Sequence, residues 1–222
     1  MRTLMSNFQF MLLWSLGSIV SLFGTTIITV IIVLIASLLT LFNLNQLILS
    51  GTTALLILGV IATCIGLFSG LIYGNVQKTI LRRHTREPWR GWLITSIVGH
   101  VVGFNLATAL IFVQGIGYVT WAVLPSSETL MWFGFQVLVV IFGCVGISQM
   151  IALQQYVIGA WAWILANIVA GVVLFSLLAF GIFSWALTAP LVILSLFLVG
   201  ASPGIVTGFA MVWLVASNWR DQ

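Results

Sequence analysis

Six apolar runs, none with a charge in its interior, restrict this chain more than any other feature. They lie at roughly 10–40, 51–79, 92–122, 130–157, 160–186 and 190–217. The breaks between them are short: Asn43 to Gln46, Leu81 to Trp92, Pro125 to Glu128, a point near Gly159, and Thr188 to Pro190. A bilayer core about 30 Å thick is crossed by roughly 20 apolar residues in a helix. Composition agrees, since charged residues are only 5% and hydrophobic ones 62% of the 222. A soluble domain carries about 25% charge, so lipid must be the solvent for most of this surface. The sequence therefore predicts an all-α integral membrane protein with six transmembrane helices in a single domain, 1–222. The first apolar run reads as a retained span, because no small-residue cleavage site follows a short apolar core. Several runs exceed the minimum length, so tilted or kinked helices are expected. Ser202-Pro203-Gly204 is expected to kink or break the last one, because Pro lacks a backbone donor.

Charge placement predicts orientation. All seven basic residues fall on one side of a six-span layout: Arg2, Lys78, Arg82, Arg83, Arg86, Arg90 and Arg220. By the positive-inside rule that side is the cytoplasm, which puts both termini there. An odd number of spans would set Arg220 against the other six. Arg82, Arg83, Arg86 and Arg90 form an inner-face basic loop, expected to fix topology and to meet anionic lipid head groups. The alternative for this loop is docking of an acidic partner. Trp14, Trp89, Trp92, Trp161, Trp163 and Trp219 are expected at the inner interface, and Trp121, Trp132 and Trp185 at the outer.

An internal repeat is the most informative pattern. Trp14, Trp92 and Trp163 each precede, by four residues, Ser18, Ser96 or Asn167, then Ile-Val and a small residue. The even runs share Gly74-x-x-Gln77 and Gly146-x-x-Gln149, with Gly208-x-x-Met211 as the degraded third copy. This predicts three two-helix hairpins, at roughly 10–82, 88–155 and 160–218, about a pseudo-threefold axis. Gly66, Gly70, Gly74, Gly99, Gly103, Gly204 and Gly208 recur at four-residue spacing, as helix-packing positions do in lipid. Gln77, Gln149, Ser18, Ser96 and Asn167 fall beside these stripes and are expected to hydrogen-bond between helices.

With Gln77, Leu81 and Arg82 followed by Trp92, Ser96 and Gly99, the chain resembles uncharacterised multispan membrane proteins of cyanobacteria and Chloroflexota. The resemblance extends over most of the chain through the three repeats and implies no activity. It implies a bacterial cytoplasmic-type or thylakoid membrane.

The acids are Glu87, Glu128 and Asp221, none inside a run. Intramembrane carboxylates mark proton and ion pathways, so a carboxylate-coupled mechanism is disfavoured. No catalytic triad, Cys/His metal set or phosphate-binding loop is present in the sequence, and the chain reads as a non-enzyme without a metal. Nor does the net charge of +4 indicate a nucleic-acid surface, because the basic residues flank spans. Cys64 and Cys144 sit in apolar runs and read as small hydrophobes. His100 is the histidine inside a run. It reads as an interhelical hydrogen-bonding group towards Asn105, Gln77 or Gln149, or as the axial ligand of a chlorophyll-type pigment. Otherwise no cofactor is expected.

Three functions fit these features. The first is a non-enzymatic subunit packed against other membrane subunits of a larger complex, photosynthetic or respiratory. The second is a small-solute transporter or substrate-binding membrane subunit. The third is a pigment-binding subunit built on His100.

Overall fold

A computed structural model of the chain describes residues 6–43, 51–85, 87–114, 127–183 and 189–218. Six helices follow in order: α1 (Asn7–Asn43), α2 (Gly51–Thr85), α3 (Trp92–Val113), α4 (Ser127–Leu153), α5 (Ala162–Phe183) and α6 (Ala189–Asn218). All six are long and apolar enough to cross a membrane. The chain is thus a polytopic helical membrane protein. Its lipid-facing surface is carried by exposed Leu, Ile, Val and Phe side chains on every helix.

Each helix packs on its sequence neighbours, and α6 packs on α1, which closes a six-membered ring. Glycines set the closest approaches. A Cβ built on Gly70 would lie 2.5 Å from the Ile97 Cα, and one on Gly66 2.7 Å from the Val101 Cα. Gly74 meets Leu93 and Ser96 in the same way, so α2 and α3 run antiparallel with backbones nearly touching. On its other side, α3 offers Gly99 to Val145 and Gly103 to Ile141 of α4. Gly146 meets Ile164 and Asn167 of α5, and Gly204 meets Ser15 and Ser18 of α1. Without a hydrophobic force between helices in lipid, such contacts are a main source of association.

Pro203 does not break α6, which runs unbroken past it. The proline has no N–H to give the carbonyl one turn back. Ser202 Oγ donates to that carbonyl, Val199 O, at 2.9 Å, so the helix continues with its acceptor satisfied.

One end of the ring is filled by a side-chain layer of Phe10, Trp14, Leu81, Trp92, Leu153, Trp163, Met211 and Leu214, all at most 1% exposed. The Trp163 ring centroid lies 6.3 Å from Trp14 and 5.9 Å from Trp92. This corrects the expectation that these indoles are interfacial anchors. Trp14, Trp89, Trp92 and Trp163 are core residues, whereas Trp161, 62% exposed, and Trp213, 56% exposed, face outward at this end. At the other end Trp132 is exposed as expected. Trp121, Trp185 and Trp219 lie outside the described residues.

The basic segment is also more ordered than a loop. Arg82, Arg83 and His84 belong to the last turns of α2, and His84 is buried with its ring 4.5 Å from Phe10. Arg90 is exposed in the turn before α3, while Arg2, Arg86 and Arg220 lie outside the described residues. The turn is stapled by Trp89, whose φ of 45° is a left-handed conformation rare outside glycine. Its Nε1 donates to Thr85 Oγ1 at 2.7 Å and its ring lies 4.6 Å from Tyr156, in the corner between α4 and α5. Arg90 N–H donates to Tyr156 Oη at 3.1 Å. Burial of one large ring thus holds the strained backbone in place.

Candidate functional site

Beside the tryptophan layer, inside the ring, lies a cavity of about 250 Å³ to which all six helices contribute side chains. Its boundary with the layer is a polar network. Gln149, fully buried on α4, uses both amide hydrogens: Nε2 donates to Gln77 Oε1 at 2.9 Å and to Ser96 Oγ at 2.8 Å. Its Oε1 accepts from Trp163 Nε1 at 3.0 Å. One side chain therefore ties α2, α3, α4 and α5 together.

The counterpart on α6 differs from the sequence alignment. Gly204, not Gly208, faces Ser15 and Ser18, the positions in α1 that correspond to Leu93 and Ser96 opposite Gly74. Gly208 instead sits against Trp14. Three residues after Gly204 comes Thr207, whose Oγ1 accepts from Trp14 Nε1 at 2.9 Å. Met211, aligned with the glutamines by sequence, lies in the apolar layer. On α6 the polar partner of a leading tryptophan is thus Thr207, one turn before Met211.

Of the five expected interhelical polar residues, Gln77, Gln149 and Ser96 meet in this network. Ser18 and Asn167 make no bond between helices among the described residues. Ser18 Oγ donates to Trp14 O at 3.1 Å and Asn167 Nδ2 to Trp163 O at 2.9 Å, each within its own helix. Both nonetheless line the cavity. A pair absent from the sequence reading, Asn105 Nδ2 to Thr63 Oγ1 at 3.0 Å, joins α3 to α2 farther along.

His100 lines the cavity, stacked on Tyr73 with ring centroids 5.3 Å apart. Its Nδ1 lies 2.8 Å from Ser96 O, not against Asn105, Gln77 or Gln149. A carbonyl only accepts, so Nδ1 carries the proton and Nε2 of the neutral ring is a bare acceptor. Two cavity-lining hydroxyls, Ser69 Oγ and Thr25 Oγ1, are buried without a hydrogen-bond partner among the described residues. Ser69 is 1% exposed. An orphaned buried hydroxyl costs about 1–3 kcal/mol, and both oxygens are closed off from the cavity by their neighbours. The apolar part of the lining includes Val137, Leu138, Ile141, Phe142, Val145 and Leu174. Every helix also contributes a polar side chain, Ser18, Ser69, His100, Gln149, Asn167 and Thr207 among them, and no charged residue is among the lining residues.

Sequence reasoning singled out His100, Gln77 and Gln149 and missed Ser69, Tyr73, Thr25 and Thr207. The i, i+4 pair Ser69 and Tyr73, on the helix that carries the glycine stripe, was the signal available. Among the described residues no cluster of three or more metal-ligating side chains is found. Comparison with protein-family models, with curated proteins and with solved structures finds no match to this chain.

Proposed function

We propose that this protein binds a small, uncharged, largely apolar solute inside its helix ring, as a substrate-binding or transport subunit of a membrane does. The observation that carries this reading is the cavity lined by all six helices, with His100, Gln149, Asn167 and Thr207 among its lining side chains. A subunit whose task is only to pack in a larger complex has no use for an internal space of this size. A charged solute would enter without a counter-charge, at a cost that membrane interiors rarely bear. A tetrapyrrole pigment on His100 is also disfavoured. About 250 Å³ falls below the ~300–1,000 Å³ of ordinary drug-sized sites, and a chlorin with its tail is larger than most occupants of those.

In this reading the ring is three hairpins related by an approximate threefold axis along the membrane normal. Gly74 with Gln77, Gly146 with Gln149 and Gly204 with Thr207 occupy equivalent places. The tryptophan-sealed end, flanked by Lys78, Arg82, Arg83 and Arg90, faces the cytoplasm, with both termini there. The test is binding of small neutral solutes to protein reconstituted in nanodiscs, with empty nanodiscs subtracted for partition into lipid. Saturable binding that Ile141→Trp abolishes, by filling the cavity, is the expected result. Only non-saturable partition, equal with and without protein, would return the chain to the packing-subunit reading.

A further inference from the structure

We infer that the basic end of α2 holds one anionic phospholipid against the outside of the helix ring, at a site independent of the cavity. Helix geometry sorts α2 into an inner and an outer face. Gly66, Gly70 and Gly74 turn towards α3, Val76 and Ile80 meet Gly17 of α1, and Tyr73 and Gln77 line the cavity. Asn75, Thr79, Arg82 and Arg83 are exposed, with Lys78 half-buried between them. These five recur at three- and four-residue spacing, share the outer face and together line one groove. Helical side chains lean towards the N-terminus, so Arg82 and Arg83 reach back over the turn that carries Lys78 and Thr79.

The groove lies at the level of a lipid head group. Gly74 packs on Leu93 and Ser96, in the first two turns of α3. Lys78, one turn farther along α2, therefore stands beside the start of the α3 span, and Arg82 and Arg83 one turn beyond it. Towards the membrane centre the same face exposes Leu67 and Phe68. An apolar stripe that ends in three cations matches an amphiphile with an anionic head. Charge then selects the head group. Lys78, Arg82 and Arg83 make no ion pair among the described residues, and no acid lines the groove. A choline head group carries its own cation beside the phosphate, whereas a glycerol head group leaves the phosphate charge for the protein. Lysine meets phosphate as a point charge and arginine as a two-pronged donor. Asn75 adds a donor one turn deeper, because Nδ2 gives one hydrogen to Leu71 O at 2.8 Å and keeps the second. A lipid ester carbonyl, which only accepts, lies on that side of its phosphate. Thr79 Oγ1 spends its proton on Asn75 O at 2.8 Å and takes no such part.

The experiment is native mass spectrometry of the full-length protein in a neutral detergent, titrated with phosphatidylglycerol and with phosphatidylcholine of identical acyl chains. The first phosphatidylglycerol is expected to bind at least about tenfold tighter than phosphatidylcholine. Lys78→Gln or Arg82→Gln alone should weaken its binding about fivefold, the worth of one basic residue at a membrane surface. The triple variant with Arg83→Gln added should bind the two lipids within about twofold of each other, and the single variants serve if it does not fold. Arg90→Gln removes a charge from the same end but off this face, where its backbone is tied to Tyr156, and should leave the preference unchanged. Soluble glycerol 1-phosphate in large excess should not displace the lipid, because it has no chain for Leu67 and Phe68. Equal affinity for the two lipids in the unaltered protein overturns the assignment and leaves the basic face to an acidic protein. An undiminished preference in the folded variants, or an equal loss in Arg90→Gln, overturns the location. Displacement by glycerol 1-phosphate overturns the lipid as occupant. None of these outcomes bears on the cavity, which the solute probes test separately.

Discussion

Trp14, Trp92 and Trp163 lead α1, α3 and α5 into one buried layer, yet their indole N–H groups fare differently. Trp14 donates to Thr207 and Trp163 to Gln149, whereas Trp92 Nε1 is buried without a partner among the described residues. Replacement by Phe removes similar volume at each place, so the differences isolate the hydrogen bond. Trp163→Phe and Trp14→Phe should each be more destabilising than Trp92→Phe by about 0.6–2 kcal/mol, the range for a hydrogen bond between membrane helices. Unfolding midpoints in mixed SDS micelles would read this, and three equal losses would refute it. Gln149 carries more than any indole. Gln149→Leu leaves the Trp163 N–H buried and unpaired and takes a donor from the half-buried Gln77 carbonyl and from Ser96 Oγ, with an expected loss of about 2–4 kcal/mol. Thr207→Val, which removes one bond between helices, from Trp14 Nε1, and one within α6, to Pro203 O, should lose less in the same titration.

At the scale of the helices, glycines decide how close neighbours come, and their surroundings differ enough to sort them. A methyl at Gly70 would strike the Ile97 Cα at 2.5 Å, and backbone cannot rotate away. Gly70→Ala should therefore push α2 from α3 and lose about 1–3 kcal/mol, as overpacking does. At Gly143 the nearest atom to a new Cβ is Ile168 Cγ1 at 3.9 Å, so Gly143→Ala should be neutral or gain up to about 1 kcal/mol of helix propensity. Thermal melts of the two variants with opposite signs are the expected outcome, and equal destabilisation would argue against backbone contact at Gly70. This level was largely legible in the sequence. The four-residue spacing of Gly66, Gly70 and Gly74 is a direct consequence of helix geometry, and the runs marked the helices to within a few residues, apart from the ends of α2 and α3. The site was less legible for a physical reason. These helices are apolar on the lipid side and on much of the cavity side, so no polar stripe distinguishes inside from outside, as it would in water. Ser69, Thr25 and Tyr73 consequently read as ordinary membrane-helix residues. The indoles misled for a related reason, because an N–H partner in the core satisfies Trp as well as an interface does. The α6 register escaped because Gly204 and Gly208 offer the same glycine spacing, and only the packing against Ser15 and Ser18 chooses between them.

For the molecule as a whole, closure of α6 on α1 and the tryptophan layer together make the two ends of the ring unlike. The layer of fully buried rings and Leu81, Leu153, Met211 and Leu214 stands between the basic end and the cavity. In the proposed solute-binding reading, this layer is a seal, and solute reaches the cavity from the opposite end or between helices. Cysteine scanning can read both orientation and seal in a chain whose Cys64 and Cys144 are replaced by Ala. Ser6 and Glu128 are exposed near opposite ends of the ring, and Thr25 lines the cavity. A membrane-impermeant maleimide applied to intact cells should label Glu128→Cys and spare Ser6→Cys until the membrane is opened, as the orientation proposed from the positive-inside rule requires. In inverted vesicles Ser6→Cys should react at once. Thr25→Cys should stay unlabelled there, although it reacts after denaturation in SDS. Trp14→Ala, which removes a ring from the layer, should raise Thr25→Cys labelling from the basic side several-fold. Rapid labelling of Thr25→Cys in the intact layer would mean that the rings do not seal the cavity. Labelling of Ser6→Cys in intact cells would reverse the orientation while leaving the seal open to the same test from the other side.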